Sequence, residues 1–517
     1  MLTTLWVLPV AGGLLIALLP RHFAKWTAVV VTLVELGLAG FVAYSFDTST
    51  GGYRWVEHVQ WIPQIKVDYF LGIDGISVWL VVLNALIGLI AVLATPASPE
   101  FRTSRFLALL LVMQGAMTGV FMSVDLVLFY FFWEAMLIPA YFLLWMWGEG
   151  GTFVAGRPAA NVSRGAFPPQ EGPRPLFASL KFVLFTLAGS LLMLVGIIGE
   201  FVFTGASSFN LPDLAKHQAD PVIQFGLFFL FAVAFFVKIP VFPFHGWLRD
   251  AYLAAPTPML LLFAGVMGKT GAYSMLRILV PLFHDPTWWW NWNGVVPVLG
   301  VLGIIWGALM ALAQADMKAL VAYSSLSHMG FIVLGIFSFN AQGQEGAVIQ
   351  MVNHGLIVPA LFLLVAWIQE RTGTRDRGAL FGLAPRLPVL AGVFLVVTLA
   401  ALGLPGLNSF VGEFMILLGS WAFSPGLTAV ASIGLVLAPI YMLRLFQGAM
   451  YAPATGELPH GHAGHQEAAA PALVDLRGSQ LLLLSPLLAL MFVIGLYPDL
   501  LTRVLTAATL GLALPWR

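Results

Sequence analysis

The chain contains no cysteine. That excludes disulfides, thiolate-ligated iron–sulfur clusters and cysteine nucleophiles within it. Charge is scarce as well, at 9% of residues. No Gly-x-Gly-x-x-Gly follows a strand-like run, and no Walker-type phosphate loop occurs. Redox or nucleotide chemistry connected with this chain is therefore expected in another subunit. The period-two alternation of a membrane barrel is also missing.

What fills the sequence instead is apolar surface. Of 517 residues 60% are hydrophobic, with a mean hydropathy of +0.91, more than a soluble domain of this length can hide. The expected fold is an all-α polytopic membrane protein. Apolar runs long enough to cross a ~30 Å hydrocarbon core as helices lie near 2–20, 25–46, 75–95, 106–124, 125–147, 177–203, 221–245, 257–282, 294–314, 318–339, 344–369, 387–420, 425–450 and 479–501, about fourteen in all. The first run lacks a positive leader and is followed by Arg21 and Lys25, so it reads as a retained helix and not a cleaved signal. Loops after odd-numbered spans hold Arg21, Lys25, Arg102, Arg105, Arg371, Arg375, Arg377 and most of the remaining Lys and Arg. By the positive-inside rule both termini are then expected on the non-cytoplasmic side, with the Trp288-Trp289-Trp290-Asn291-Trp292 cluster at the outer headgroup belt.

Three polar stretches interrupt the spans. Asp47 to Asp74 contains the alternating Val56-Glu57-His58-Val59-Gln60-Trp61-Ile62 and suits either a short outer hairpin or a loop. Gly148 to Pro175 is rich in Gly, Pro and Arg and reads as a mobile cytoplasmic insertion. Pro453 to Gly478 carries His460, His462 and His465, whose spacing permits a metal but which more often make up a solvated loop. No metal is expected.

One stretch organises the rest. In Phe235-Phe236-Val237-Lys238-Ile239-Pro240-Val241-Phe242-Pro243-Phe244-His245-Gly246-Trp247 a lysine sits at membrane depth with two prolines just beyond it. A charge near the bilayer centre costs roughly 2.5–3.5 kcal/mol on insertion scales, so Lys238 is expected to face a protein interior or a wet cavity. Pro240 and Pro243 should break the helix past the lysine. Leu402-Gly403-Leu404-Pro405-Gly406-Leu407-Asn408-Ser409 interrupts the twelfth span as the proline pair interrupts the seventh. Five spans separate them, an odd number, so the two broken helices should run oppositely. This pattern suggests two inverted five-helix repeats, dividing the chain into 1–105, 106–282, 283–451 and 452–517.

Six ionisable residues fall within the spans: Glu134, Lys238, Lys269, His328, His354 and Glu413. Each can exchange a proton, and joined by water they suit a relay. For any single one the bland alternative is a hydrogen bond or ion pair that holds helices together.

The motifs that carry these residues resemble a known family. Asp125-Leu126-Val127-Leu128-Phe129-Tyr130-Phe131-Phe132-Trp133-Glu134, Phe236-Val237-Lys238-Ile239-Pro240 with Pro243-Phe244-His245-Gly246-Trp247-Leu248, Tyr323-Ser324-Ser325-Leu326-Ser327-His328-Met329-Gly330-Phe331, and Gly403-Leu404-Pro405-Gly406 with Phe410-Val411-Gly412-Glu413-Phe414 are similar to the antiporter-like membrane subunits of respiratory complex I. The likeness runs from about Leu71 to Tyr451. It implies a proton-translocating subunit of an NADH- or NAD(P)H-quinone oxidoreductase in a bacterial inner or thylakoid-type membrane. It also implies L- and N-type antiporter-like chains and lipids as partners, no nucleic acid, and no cofactor in this chain, with flavin, iron–sulfur clusters and quinone in partner subunits. Residue by residue, the resemblance makes Glu134 the acid that pairs with Lys238, Lys238 the switching base, and Lys269 the connecting lysine. His328 and His354 become the middle relay and Glu413 the exit group. The carboxylate at 413 points to the M-type branch, because L- and N-type chains and several sodium/proton antiporter subunits are expected to carry lysine there. The same module implies an alternative, a subunit of a multi-subunit sodium/proton antiporter or membrane-bound hydrogenase. Trp247-Leu248-Arg249-Asp250-Ala251-Tyr252 departs from the family, which commonly has Pro and His where Arg and Tyr stand, and the 148–175 insertion is unusual.

Overall fold

A computed structural model describes residues 1–47, 52–96, 104–149, 173–283, 295–380, 382–451 and 473–513. The tryptophan cluster at 288–292, most of the 148–175 insertion and the three histidines of the 453–478 stretch lie outside the described residues.

Among the described residues twelve helices are long and apolar enough to cross a membrane; the shorter Leu2–Leu18 and a twelfth helix in two pieces bring the crossings to fourteen, as expected. They are α1 (Leu2–Leu18), α2 (Arg21–Tyr44), α3 (Ser77–Ala94), α4 (Ser104–Met122), α5 (Leu126–Trp147), α6 (Pro175–Thr204), α7a (Pro221–Lys238) with α7b (Leu248–Ala254), and α8 (Thr257–Leu282). After these come α9 (Val295–Leu312), α10 (Met317–Ile336), α11 (Ala341–Thr372), α12a (Pro388–Ala401) with α12b (Asn408–Phe423), α13 (Pro425–Met450) and α14 (Gly478–Leu496). A helix that is apolar on every side belongs inside, and α8, α10 and α11 form the centre while α2, α6, α13 and α14 present apolar faces outward.

Between α2 and α3 the chain forms an antiparallel hairpin, β1 (Arg54–Ile62) and β2 (Val67–Ile73), which settles the choice between hairpin and loop. Glu57 of β1 holds the amino terminus and accepts from the Leu2 amide at 2.8 Å. At the other end of the chain Thr509 donates to Glu345 at the start of α11. The hairpin, the amino terminus, the helix that carries Thr509 and the start of α11 share one face of the bundle.

The breaks are more extensive than the sequence suggests. Helix ends at Lys238 and resumes only at Leu248, so the seventh element runs to Ala254 and not to 245. The twelfth is interrupted where Gly403 and Gly406 take φ values of 80° and 94°, a region that favours glycine. The fifth is interrupted at Met136, ahead of Pro139, whose ring crowds the carbonyl four residues earlier. In α8 two π-helical turns, Phe263–Met267 and Met275–Leu279, flank the segment that carries Lys269. The last span is shorter than 479–501. Pro498 ends it, and a separate amphipathic helix, α15 (Asp499–Ala513), turns back over the bundle, where its Val504 carbonyl would lie 2.3 Å from a Cβ on Gly75.

One device occurs twice. Asp125 caps α5 by accepting from the Val127 and Leu128 amides, each at 2.9 Å, and its backbone bridges Asn210 beyond α6. Asp316 caps α10 by accepting from Lys318 and Ala319 at 2.8 and 3.0 Å, and its backbone bridges Asp376 beyond α11. The two caps lie five crossings apart and so on opposite faces.

An N-cap acid contributes about 1 kcal/mol. Asp125→Ala is expected to lower the thermal midpoint of the purified protein by a few degrees, whereas Asp125→Asn, which keeps an acceptor for the same amides, should stay close to wild type. A melting curve in detergent decides between them.

Candidate proton-relay site

Lys238 is the last helical residue of α7a and is buried. Its Nζ has no hydrogen-bond acceptor and lies 4.8 Å from the centroid of the Trp133 ring, within cation–π range. The carbonyl of Val237, freed by the break, accepts from Trp247 Nε1 at 3.0 Å. Glu134 follows Trp133 on α5. Glu134 and Lys238 do not form a direct ion pair, and Glu134 Oε1 has no donor. The resemblance implied a pair. The geometry is an amine over the Trp133 indole, with the carboxylate on the next residue of the same helix.

Lys269 lies on the adjoining face of α8. Two residues further on, a Cβ at Gly271 would lie 3.1 Å from Lys238 Cβ and 2.9 Å from the Ile239 nitrogen, so the break packs directly on this helix. Lys269 Nζ donates to the Ala264 carbonyl at 2.7 Å and stands 2.6 Å from His354 Nδ1. The opposite nitrogen, His354 Nε2, is 2.9 Å from Ser325 Oγ. The His354 ring is 5.9 Å, centroid to centroid, from that of His328, and His328 Nδ1 lies 2.8 Å from Glu413 Oε1. Gln350 Nε2 donates to Ser409 Oγ and to Glu413 Oε1 at 3.0 and 3.1 Å, and Ser409 Oγ donates to the same carboxylate oxygen. Asn353 Nδ2 donates at 2.7 Å to the Asn408 carbonyl, where α12 is broken.

Five of the six residues singled out in the sequence are buried and Glu134 is half-buried, and they fall in two groups. Glu134 and Lys238 form one; Lys269, His354, His328 and Glu413 form the other, in that spatial order, and its two histidines line a small cavity with Ser324, Gln350 and Ser409. No direct hydrogen bond joins the groups. Ser325, Gln350 and Ser409 are the polar partners that residue-type reasoning passed over. Only Ser409 carried a signal, since it precedes Glu413 by four residues on one helix, whereas Ser325 and Gln350 bond to groups on other helices. Tyr252, in the stretch that departs from the family, is buried with its ring against Phe263 and Phe362.

Fourteen crossings, two of them broken beside buried ionisable side chains, define an antiporter-like membrane subunit. Residues 170–438 match the family model described as the transmembrane domain of NADH:quinone oxidoreductase and Mrp antiporters. The NADH-quinone oxidoreductase subunit M of Mycobacterium tuberculosis is 36% identical, covering 96% of this chain and 91% of the relative, and that of Escherichia coli K12 is 35% identical, covering 96% and 95%. A chain of respiratory complex I from Thermus thermophilus superposes with a TM-score of 0.85 at 31% identity, covering 100% of both chains. The chain belongs to the NADH-quinone oxidoreductase subunit M family.

Removal of one hydrogen-bond partner costs about 1 kcal/mol. Ser325→Ala should therefore slow turnover several-fold by loosening His354, and Ser325→Thr, which keeps the hydroxyl, should restore most of it. Quinone reduction by the assembled complex measures both.

Proposed function

We propose that this chain is the proton-translocating M-type membrane subunit of an NADH- or NAD(P)H-quinone oxidoreductase, coupled to redox chemistry carried out in other subunits. The observation that carries the reading is the buried sequence of contacts from Lys269 through His354 and His328 to Glu413, placed beside a lysine that ends a broken helix. Lys238 holds its proton under the influence of Glu134 and the Trp133 ring. A change that weakens this influence releases the proton to Lys269. From there it passes to His354 and His328 and leaves from Glu413, each group returning to its starting state once the next proton arrives. Lysine, histidine and carboxylate can each bind and release a single proton, and the sequence needs no redox centre in this chain.

In this reading helices 4–8 and 9–13 are the inverted repeats, a division supported by the paired Asp125 and Asp316 caps and by the breaks in the seventh and twelfth helices. L- and N-type chains flank the subunit in the membrane. Flavin, iron–sulfur clusters and quinone belong to partner subunits. The membrane is a bacterial inner or thylakoid-type membrane, and the face that carries both termini is the non-cytoplasmic one.

Lys238→Ala should leave assembly intact and abolish most proton pumping; full pumping by the assembled mutant complex would sink the reading. A double-mutant cycle of Glu134→Gln and Lys238→Ala should be strongly non-additive, because neither group acts without the other. Glu413→Gln keeps its hydrogen bonds but cannot titrate. It should lose most activity, while Glu413→Asp keeps part of it. Pumping by reconstituted wild type that requires sodium would favour the antiporter reading.

A further inference from the structure

A second polar cluster lies apart from this line, between α2, α3 and α4. Glu35 of α2 is buried, and among the described residues no Lys, Arg or His forms an ion pair with it. Its carboxylate accepts from Gln114 Nε2 at 2.6 Å and from Thr118 Oγ1 at 3.3 Å, both on α4. Asn84 of α3 donates through Nδ2 to Thr118 Oγ1 at 2.8 Å and to the Gln114 carbonyl at 2.9 Å. Asn84 and Gln114 are wholly buried, yet Asn84 Oδ1 and Gln114 Oε1 have no donor. Gly88 makes the cluster possible, since a Cβ there would lie 2.1 Å from the Gln114 carboxamide.

These four side chains gather one negative charge and a set of acceptor oxygens, two from Glu35 and one each from Asn84, Gln114 and Thr118. A buried carboxylate without a counter-charge is costly, and a carboxamide oxygen can only accept. One added positive charge offsets the first deficit and, shared with a carboxamide oxygen, lessens the second. A single carboxylate matches a monovalent ion; divalent sites gather more carboxylates and more oxygens. The carboxamides of Asn84 and Gln114 can turn either end towards such an ion, because their nitrogen and oxygen are assigned from hydrogen bonding. We propose that Glu35, Asn84, Gln114 and Thr118 form a binding site for one monovalent cation, a proton or a sodium ion, separate from the relay.

The site borders the relay without sharing any of its ionisable groups. Leu83, beside Asn84, presses on Gly355, the residue after His354, where a Cβ would lie 2.4 Å from Leu83 Cδ2. Ile87 of the same helix packs against Gly265, next to the Ala264 carbonyl that binds Lys269. On the other side Gly119, next to Thr118, receives the Phe132 ring two residues before Glu134, at 2.3 Å from a Cβ built there. Filling the site thus bears on the helices that hold both groups of the relay.

The test uses the intact purified complex and its Glu35→Gln variant. Infrared spectra in light and heavy water report a protonated carboxyl, and thermal midpoints in sodium chloride against choline chloride report a sodium site. A carboxyl band lost in Glu35→Gln establishes the proton. A sodium-specific rise in midpoint that disappears in Glu35→Gln establishes sodium. Identical spectra and identical midpoint shifts in the two proteins overturn the proposal, as does a sodium effect that Glu35→Gln leaves unchanged. Should Glu35→Gln fail to assemble, Thr118→Val decides in its place. It removes one oxygen, and it should either shift the carboxyl band or raise several-fold the sodium needed for the same midpoint; no change in either overturns the site.

Discussion

A backbone carbonyl released by a helix break at lipid depth must find a donor inside the protein, and much of this interior follows from that requirement. Val237, at the end of α7a, finds it in the Trp247 indole, which folds back ten residues to reach it. Asn408, at the start of α12b, finds it in Asn353 on the central helix α11. Each break draws polar side chains to mid-membrane, and once present they lower the cost of placing ionisable groups beside them. Lys238 stands on one break, and Glu413 lies one turn and a half beyond the other. The chemistry sits where the helices fail.

Ionic contacts at the two faces fix the ends of these helices. On one face Glu149 holds Lys318 at 2.9 Å and Arg375 at 3.0 Å, tying the end of α5 to the start of α10 and the segment after α11. On the other, Asp74 holds Arg277 at 3.0 Å, and the guanidinium also lies over Tyr53, just ahead of the hairpin. Each contact joins elements far apart in the chain. Breaking a well-buried pair leaves a charge without its partner, which costs several kcal/mol. At the polar centre, by contrast, Lys238 Nζ and Glu134 Oε1 make no hydrogen bond among the described residues.

Hydropathy made the crossings legible because each is a continuous apolar run, and Pro240, Pro243 and the Gly403-Leu404-Pro405-Gly406 segment marked the major breaks for the same reason. The ionisable residues were legible because charge at membrane depth is rare. Features set by tertiary packing were not. The π turns in α8 have no residue signature, and the interruption at Met136 hides in an otherwise uniform apolar run that contains a single proline. The expected last span, 479–501, runs across Pro498 into the first three residues of α15, whose remainder is too amphipathic to stand out by hydropathy. The split of the relay residues into two groups could not be read either, since residue type says which groups can pass protons but not which stand within reach.

The paired π turns of α8 have a mechanical consequence. A π turn holds one residue more than an α turn, with its hydrogen bond made to the carbonyl five residues back. Exchanging that pattern with the neighbouring α turn moves the extra residue along the helix while the number of backbone bonds is kept. With one such turn on each side, the seven residues Gly268–Ser274 form a cartridge between two slip joints. A bulge that migrates past a residue turns that residue by about 100°, one residue's rotation of an α-helix, while the outer parts of α8 keep their packing. Lys269 rides on this cartridge, between the broken seventh helix on one side and His354 on the other. A rotary element of this kind can carry a charged side chain across the gap between two polar groups without unfolding a turn or sliding a helix through its neighbours.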